Sequence, residues 1–140
     1  MRRRLAVAGL ICAAAAAAGP ALAHHSYAMF DNTKLVLLHG TVLSYSYVNP
    51  HAWISVSGSS DDHTPAARWD VEATSPTVLA GLGLKPENLK AGDKVTVALR
   101  PLRDGRYGGS MVFVVTADGV PHGAKPENLG FDLAKLKPPN

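Results

Sequence analysis

Cysteine is nearly missing from this chain. Of 140 residues only Cys12 carries a thiol, and it sits inside an apolar stretch near the start. A domain that follows that stretch has no disulfide and no thiol nucleophile. Any metal it holds must rest on nitrogen and oxygen ligands, with methionine sulfur as the one soft donor. The nucleophile, metalloprotease and phosphate-loop signatures G-x-S-x-G, H-E-x-x-H and G-x-x-x-x-G-K are all absent. Asp61-Asp62-His63 is suggestive in composition only, because adjacent residues on a loop lack the fixed geometry that catalysis needs. No internal repeat is visible. An enzyme, for instance a copper oxidoreductase, is therefore the last of three readings.

An excess of charge is missing too, once the N-terminal segment is set aside. Met1 to Ala23 has the build of a secretory signal. Arg2, Arg3 and Arg4 form a basic start, Leu5 to Ala18 is apolar, Gly19-Pro20 breaks the helix, and Ala21-Leu22-Ala23 offers small residues to a signal peptidase. The apolar run falls short of the ~20 residues that span a bilayer. Cleavage after Ala23 removes three of the 14 Lys+Arg, so 11 remain against 11 Asp+Glu. The precursor's basic pI thus belongs to the signal, and neither nucleic acid nor an anionic membrane is the expected partner. The expected location is periplasmic or secreted, with no membrane span after cleavage. A periplasmic protein or a small molecule is the partner class left open.

What is present is period-two alternation. Val36 to Val48 alternates and is interrupted at Gly40, which suits a bulge or bend. In His51 to Ser57, Ala52, Ile54 and Val56 oppose His51, Trp53 and Ser55. Gly58 to Pro65 reads as a polar turn. Arg68 to Ala73 sets Trp69, Val71 and Ala73 against Arg68, Asp70 and Glu72. Ser75-Pro76 opens a short helix in which Leu79 and Leu82 share a face, and Gly83 ends it. Strands resume at Lys94 to Arg100 and Ser110 to Thr116, around the hairpin signal Arg103-Asp104-Gly105-Arg106. This order fits an all-β, five-stranded, partly open Greek-key barrel of the OB type, with an antiparallel sandwich as the alternative. One domain is expected over 24–121. Residues 122–140 read as a Pro- and Lys-containing tail, docked through Phe131 and otherwise mobile.

The histidines carry the chemistry. Cleavage after Ala23 makes His24 the first residue and His25 the second. A terminal amine has a pKa near 8, so it yields its proton to a metal at modest cost. With the His24 ring it closes a chelate, and His25 offers a competing planar set. Both geometries favour Cu(II), with zinc as the second candidate. His51 lies at the start of a strand, on the outer phase. Glu72 on the next strand shares that phase, so antiparallel pairing makes the two neighbours, with Glu72 as ligand or as orienter of the ring. A surface ion pair of Glu72 with Arg68, Lys94 or Arg100 is the competing expectation. His39, His63 and His122 read as solvated, and Met29 as packing before Cu(I) ligand. The non-metal reading places a small molecule or partner protein on a face made by Asn49, Tyr47, Tyr45 and Trp53.

Several segments resemble a family of small exported bacterial proteins of unknown function. They are His24-His25-Ser26 with Met29-Phe30-Asp31, Asn49-Pro50-His51-Ala52-Trp53-Ile54, Trp69-Asp70-Val71-Glu72 and Ala91-Gly92-Asp93-Lys94-Val95. The resemblance implies export and a small β domain, and it brings no activity with it.

Overall fold

The computed structural model describes residues 27–61 and 63–138, with 63–65 described by backbone alone. The expected signal, His24 and His25 lie outside the described residues. The strands are β1 Val36–Ser46, β2 Trp53–Ser60, β3 His63–Glu72, β4 Lys94–Pro101, β5 Gly108–Val115 and β6 Pro121–Gly123. Among the described residues one α-helix, α1, spans Pro76–Gly81, and four short 3-10 turns accompany it.

β1 pairs antiparallel with both β2 and β4. β2 pairs with β3, and β4 with β5. A short parallel run, Asp70↔Gly108 to Glu72↔Ser110, joins β3 to β5. The ring 1-2-3-5-4-1 therefore closes, with β6 appended to β5. The strand order is that of the OB type. The barrel is closed where the sequence suggests a partial opening, and a sandwich is excluded by the β3–β5 pairing.

Closure requires β1 to serve two neighbours, and glycine permits it. Gly40 faces Gly58 across the β1–β2 ladder. A Cβ on Gly40 would lie 2.4 Å from the Ser57 carbonyl oxygen, and one on Gly58 would lie 2.2 Å from that of His39. The bulge itself is not at Gly40. The register slips between Val42 and Ser44, so Leu43 is the extra residue. One inserted residue turns every later side chain to the other face. Tyr45 and Tyr47 therefore pack on the core side, and Val48, on the expected inward phase, is exposed.

The interior is filled by Leu38, Val42, Ile54, Val56, Trp69, Val71, Val95, Val97 and Leu99, all essentially inaccessible. α1 plugs one end through Leu79. Ser75 caps it, accepting from the Val78 N–H, but Leu82 is exposed and does not join Leu79. The expected Gly58–Pro65 turn is much shorter: β2 runs on to Ser60, which pairs with His63. The C-terminal segment packs beyond the expected Phe131 contact, which is a T-shaped stack on Phe113 with centroids 5.8 Å apart. Leu136 is buried with Ala98, Phe113 and Val115, covering the outer face of β4 and β5.

Candidate functional site

β2 and β3 stand in register with Trp53↔Glu72 and Ser55↔Asp70, and Glu72 continues across to Ser110 on β5. Glu72 is thus at the centre of the outer face, flanked by Trp53 and Ser110. An outer-face carboxylate is normally wet, yet Glu72 is only 6% exposed. Two features cover it. The first is His51, whose Nδ1 lies 2.5 Å from Glu72 Oε1. Two hydrogen bonds joining Ala52 to the chain after β3 set the His51 backbone: the Ala52 N–H donates to the Thr74 carbonyl and the Ala73 N–H to that of Ala52.

The second cover is the segment before β1. Tyr27–Met29 forms a single 3-10 turn. The Arg103 N–H donates to the Met29 carbonyl at 3.0 Å, and the Arg103 Nε to the Ala28 carbonyl at 3.0 Å. Phe30, only 5% exposed, bridges to Leu102, and the Asp31 N–H reaches the Pro101 carbonyl. These contacts clamp the segment over the seam between β3 and β5. Between it and the sheet lies a cleft of about 120 Å³, lined by Tyr27, Phe30, His51, Glu72, Ser110 and Met111 among others. A second cleft, about 230 Å³, shares Phe30 and Glu72 as its wall and adds Met29, Trp53, Asp70 and Tyr107.

The pairing decides the chemistry. A carboxylate at Nδ1 accepts the proton there, which leaves the Nε2 lone pair as the ring's donor. This is the arrangement that orients a histidine toward a metal or a proton. Among the described residues Glu72 pairs with His51 and not with the expected cations: Arg68 binds Asp70 at 3.2 Å, Asp70 also accepts from Ser55 Oγ at 2.6 Å, and Arg100 donates to the Asn32 carbonyl. Among the described residues no three His, Cys, Asp or Glu side chains converge, so these residues alone supply His51 and Glu72 and no third such ligand.

The expected aromatic face is divided. Trp53 is exposed on the outer side of β2 and lines the second cleft. Tyr47 is turned to the core side, where its hydroxyl donates to the Pro76 carbonyl at 2.6 Å and anchors α1. Beside it Tyr45 is held edge-on, and burial pushes its phenol pKa upward. Asn49 is exposed on the loop before β2, joined to Pro50 by a cis bond.

Of the histidines expected to be solvated, His122 is buried and His39 is partly exposed but partnered. His39 meets Thr96 Oγ1 through Nδ1 at 3.0 Å and the Asp61 carboxylate through Nε2 at 3.3 Å. His122 is buried, with Nδ1 3.2 Å from the Leu82 carbonyl and Nε2 3.4 Å from Thr116 Oγ1. Both serve the scaffold, and β6 is what carries His122 inside. Phe30, Ser110 and Met111 were not legible as site residues, because their place depends on the parallel β3–β5 closure.

A family model described as a family of unknown function (DUF6152) matches residues 11–111. The match takes in the clamped segment, His51, Glu72, Ser110 and Met111. No curated protein and no solved structure matches the chain. No helix among the described residues is long and apolar enough to cross a membrane.

Proposed function

The chain belongs to that family of unknown function, and we propose that it is an exported, periplasmic domain that holds copper between its mature N-terminus and His51. One observation supports this above the rest: Tyr27, the first described residue, lines the same cleft as the His51–Glu72 pair. His24 stands three residues ahead of Tyr27, and three residues reach at most about 10 Å. On this reading the amine freed by cleavage after Ala23 and the His24 ring meet His51 Nε2 across that short tether. Amine, His24 ring and His51 ring form a T-shaped nitrogen set suited to Cu(II), with His25 competing for a position and zinc as the weaker fit. Glu72 orients the His51 ring from behind. The domain then carries or buffers the ion, and Trp53 with the clamped segment limits solvent access to it.

The test uses the terminal amine. The chain beginning at His24 binds one Cu(II) with high affinity in competition titration. The same chain with its His24 amine acetylated binds at least about tenfold more weakly, because the amine no longer donates. Equal affinities for the two chains overturn the assignment.

A second reading keeps Trp53, which is 40% exposed on the wall of the larger cleft. There the domain grips a small polar molecule by stacking on the indole, with Asp70 beside it. The expected outcome is a shift of the Trp53 indole N–H resonance when sugars or organic amines are titrated in. A resonance that stays fixed across such a set removes this reading.

A further inference from the structure

Resting on the second reading above, in which Trp53 grips a small molecule, we propose that the larger cleft takes a zwitterion: a free α-amino acid with an apolar side chain. Its ammonium goes to Asp70, its carboxylate to the Arg106 guanidinium, and its side chain to Trp53. One cleft of about 230 Å³ is lined by all three, with Met29, Phe30 and Leu102 adding apolar wall. They come from three elements: Trp53 from β2, Asp70 from β3, and Arg106 from the hairpin between β4 and β5. The Asp70 N–H donates to the Tyr107 carbonyl, and Asp70 pairs with Gly108, which fixes that hairpin beside β3.

The atoms left over set the charges of the ligand. Every hydrogen bond that the Asp70 carboxylate accepts, from Ser55 Oγ and from Arg68 Nε and Nη2, falls on Oδ1, and among the described residues Oδ2 accepts none. Arg106 commits Nε to Asp104 at 2.8 Å, and among the described residues neither Nη finds an acceptor. Asp70 and Arg106 thus line one cleft with opposite charge and without pairing to each other. Glu72 lines the cleft too, two residues along the same face of β3, and adds negative potential on the ammonium side. A carboxylate oxygen is the acceptor an ammonium needs, and the fork of a guanidinium takes a carboxylate through both Nη groups. Trp53 and Met29 are partly exposed, so an apolar side chain has surface to cover there. A sugar uses neither charge, and a simple amine leaves Arg106 without a partner for its Nη groups.

The experiment titrates the chain beginning at His24 with L-leucine and L-phenylalanine, and with the amide and the N-acetyl form of each. It follows the Trp53 indole N–H resonance, with that of buried Trp69 as reference. The better-bound amino acid is expected to hold at least about tenfold more tightly than either of its blocked forms, each of which loses one charge-assisted contact. Arg106→Gln is expected to lower affinity for the amino acid by a similar factor and to leave its amide unchanged. Asp70→Asn does the converse, lowering affinity for the amino acid and leaving the N-acetyl form unchanged. Both substitutions are at exposed side chains, and a thermal melt checks the fold. A blocked form that binds as tightly as the free amino acid overturns the zwitterion and leaves the Trp53 reading standing. A Trp53 resonance that no probe moves overturns both.

Discussion

A Gly58→Val chain is expected not to fold, and Gly40→Val likewise. The reason is contact between main chains. A Cβ on Gly58 would sit 2.2 Å from the His39 carbonyl oxygen and 2.7 Å from the Gly40 Cα. No side-chain rotation relieves a clash with backbone, so the β1–β2 ladder must open where β1 also has to reach β4. The cost exceeds about 4 kcal/mol, the range reserved for broken architecture, which is a large fraction of the ~5–15 kcal/mol that holds a domain of this size together. Gly81→Ala, in α1 with nothing within 4 Å of the added methyl, is the matched control. It is expected to be neutral or to stabilise by up to about 1 kcal/mol. Urea unfolding followed by circular dichroism reads both. A Gly58→Val protein with wild-type stability would mean that Gly40 and Gly58 do not face each other.

That pair of glycines also marks the limit of what alternation reveals. β2 and β3 are legible residue by residue, because Ile54, Val56, Trp69 and Val71 are enclosed while Trp53, Ser57, Arg68 and Asp70 face out. The neighbourhood of His51 and Glu72 follows from that phase alone. β1 is legible only as far as Val42. Beyond it one inserted residue, Leu43, reverses the pattern, and hydrophobicity does not announce a bulge when the residues turned inward are tyrosines, Tyr45 and Tyr47, which suit either face. Thr96 and Ala98 look like outer residues and are fully buried: Ala98 lies in the cluster with Leu136 of the returning C-terminal segment, and His39 meets the Thr96 hydroxyl. Pro and Lys spacing conceals such a return, since its few apolar anchors, Phe131 and Leu136, are separated by polar residues. The β3–β5 seam is the least legible feature. A parallel pair three residues long has no sequence signature, yet it sets Ser110 beside Glu72.

The seam makes Glu72 the residue whose replacement says most about the site. Its carboxylate is nearly enclosed and is held by the His51 ring. Breaking such a pair from one side is worse than removing both members, because the survivor keeps its desolvation cost without its partner. His51→Ala is therefore expected to cost about 1–3 kcal/mol, the lower part of the range for buried pairs, since the His51 side chain is itself 37% exposed and water can enter. His51→Ala with Glu72→Leu is expected to cost less than His51→Ala alone, as the stranded charge is gone. Glu72→Gln keeps an acceptor for the Nδ1 proton and should leave stability within about 1 kcal/mol, while removing the charge that makes the ring a stronger donor. On the copper assignment it lowers Cu(II) affinity by about tenfold or more, the usual effect of losing a carboxylate behind a ligating histidine. Glu72→Leu, which also frees the ring to rotate, lowers it further. Chemical unfolding of the three stability variants and copper competition on the two carboxylate variants separate the roles. If His51→Ala unfolds at the wild-type midpoint, His51 is not what holds the carboxylate. If copper affinity is indifferent to Glu72 while stability is not, the pair is a structural clamp for the N-terminal segment and His51 is no ligand.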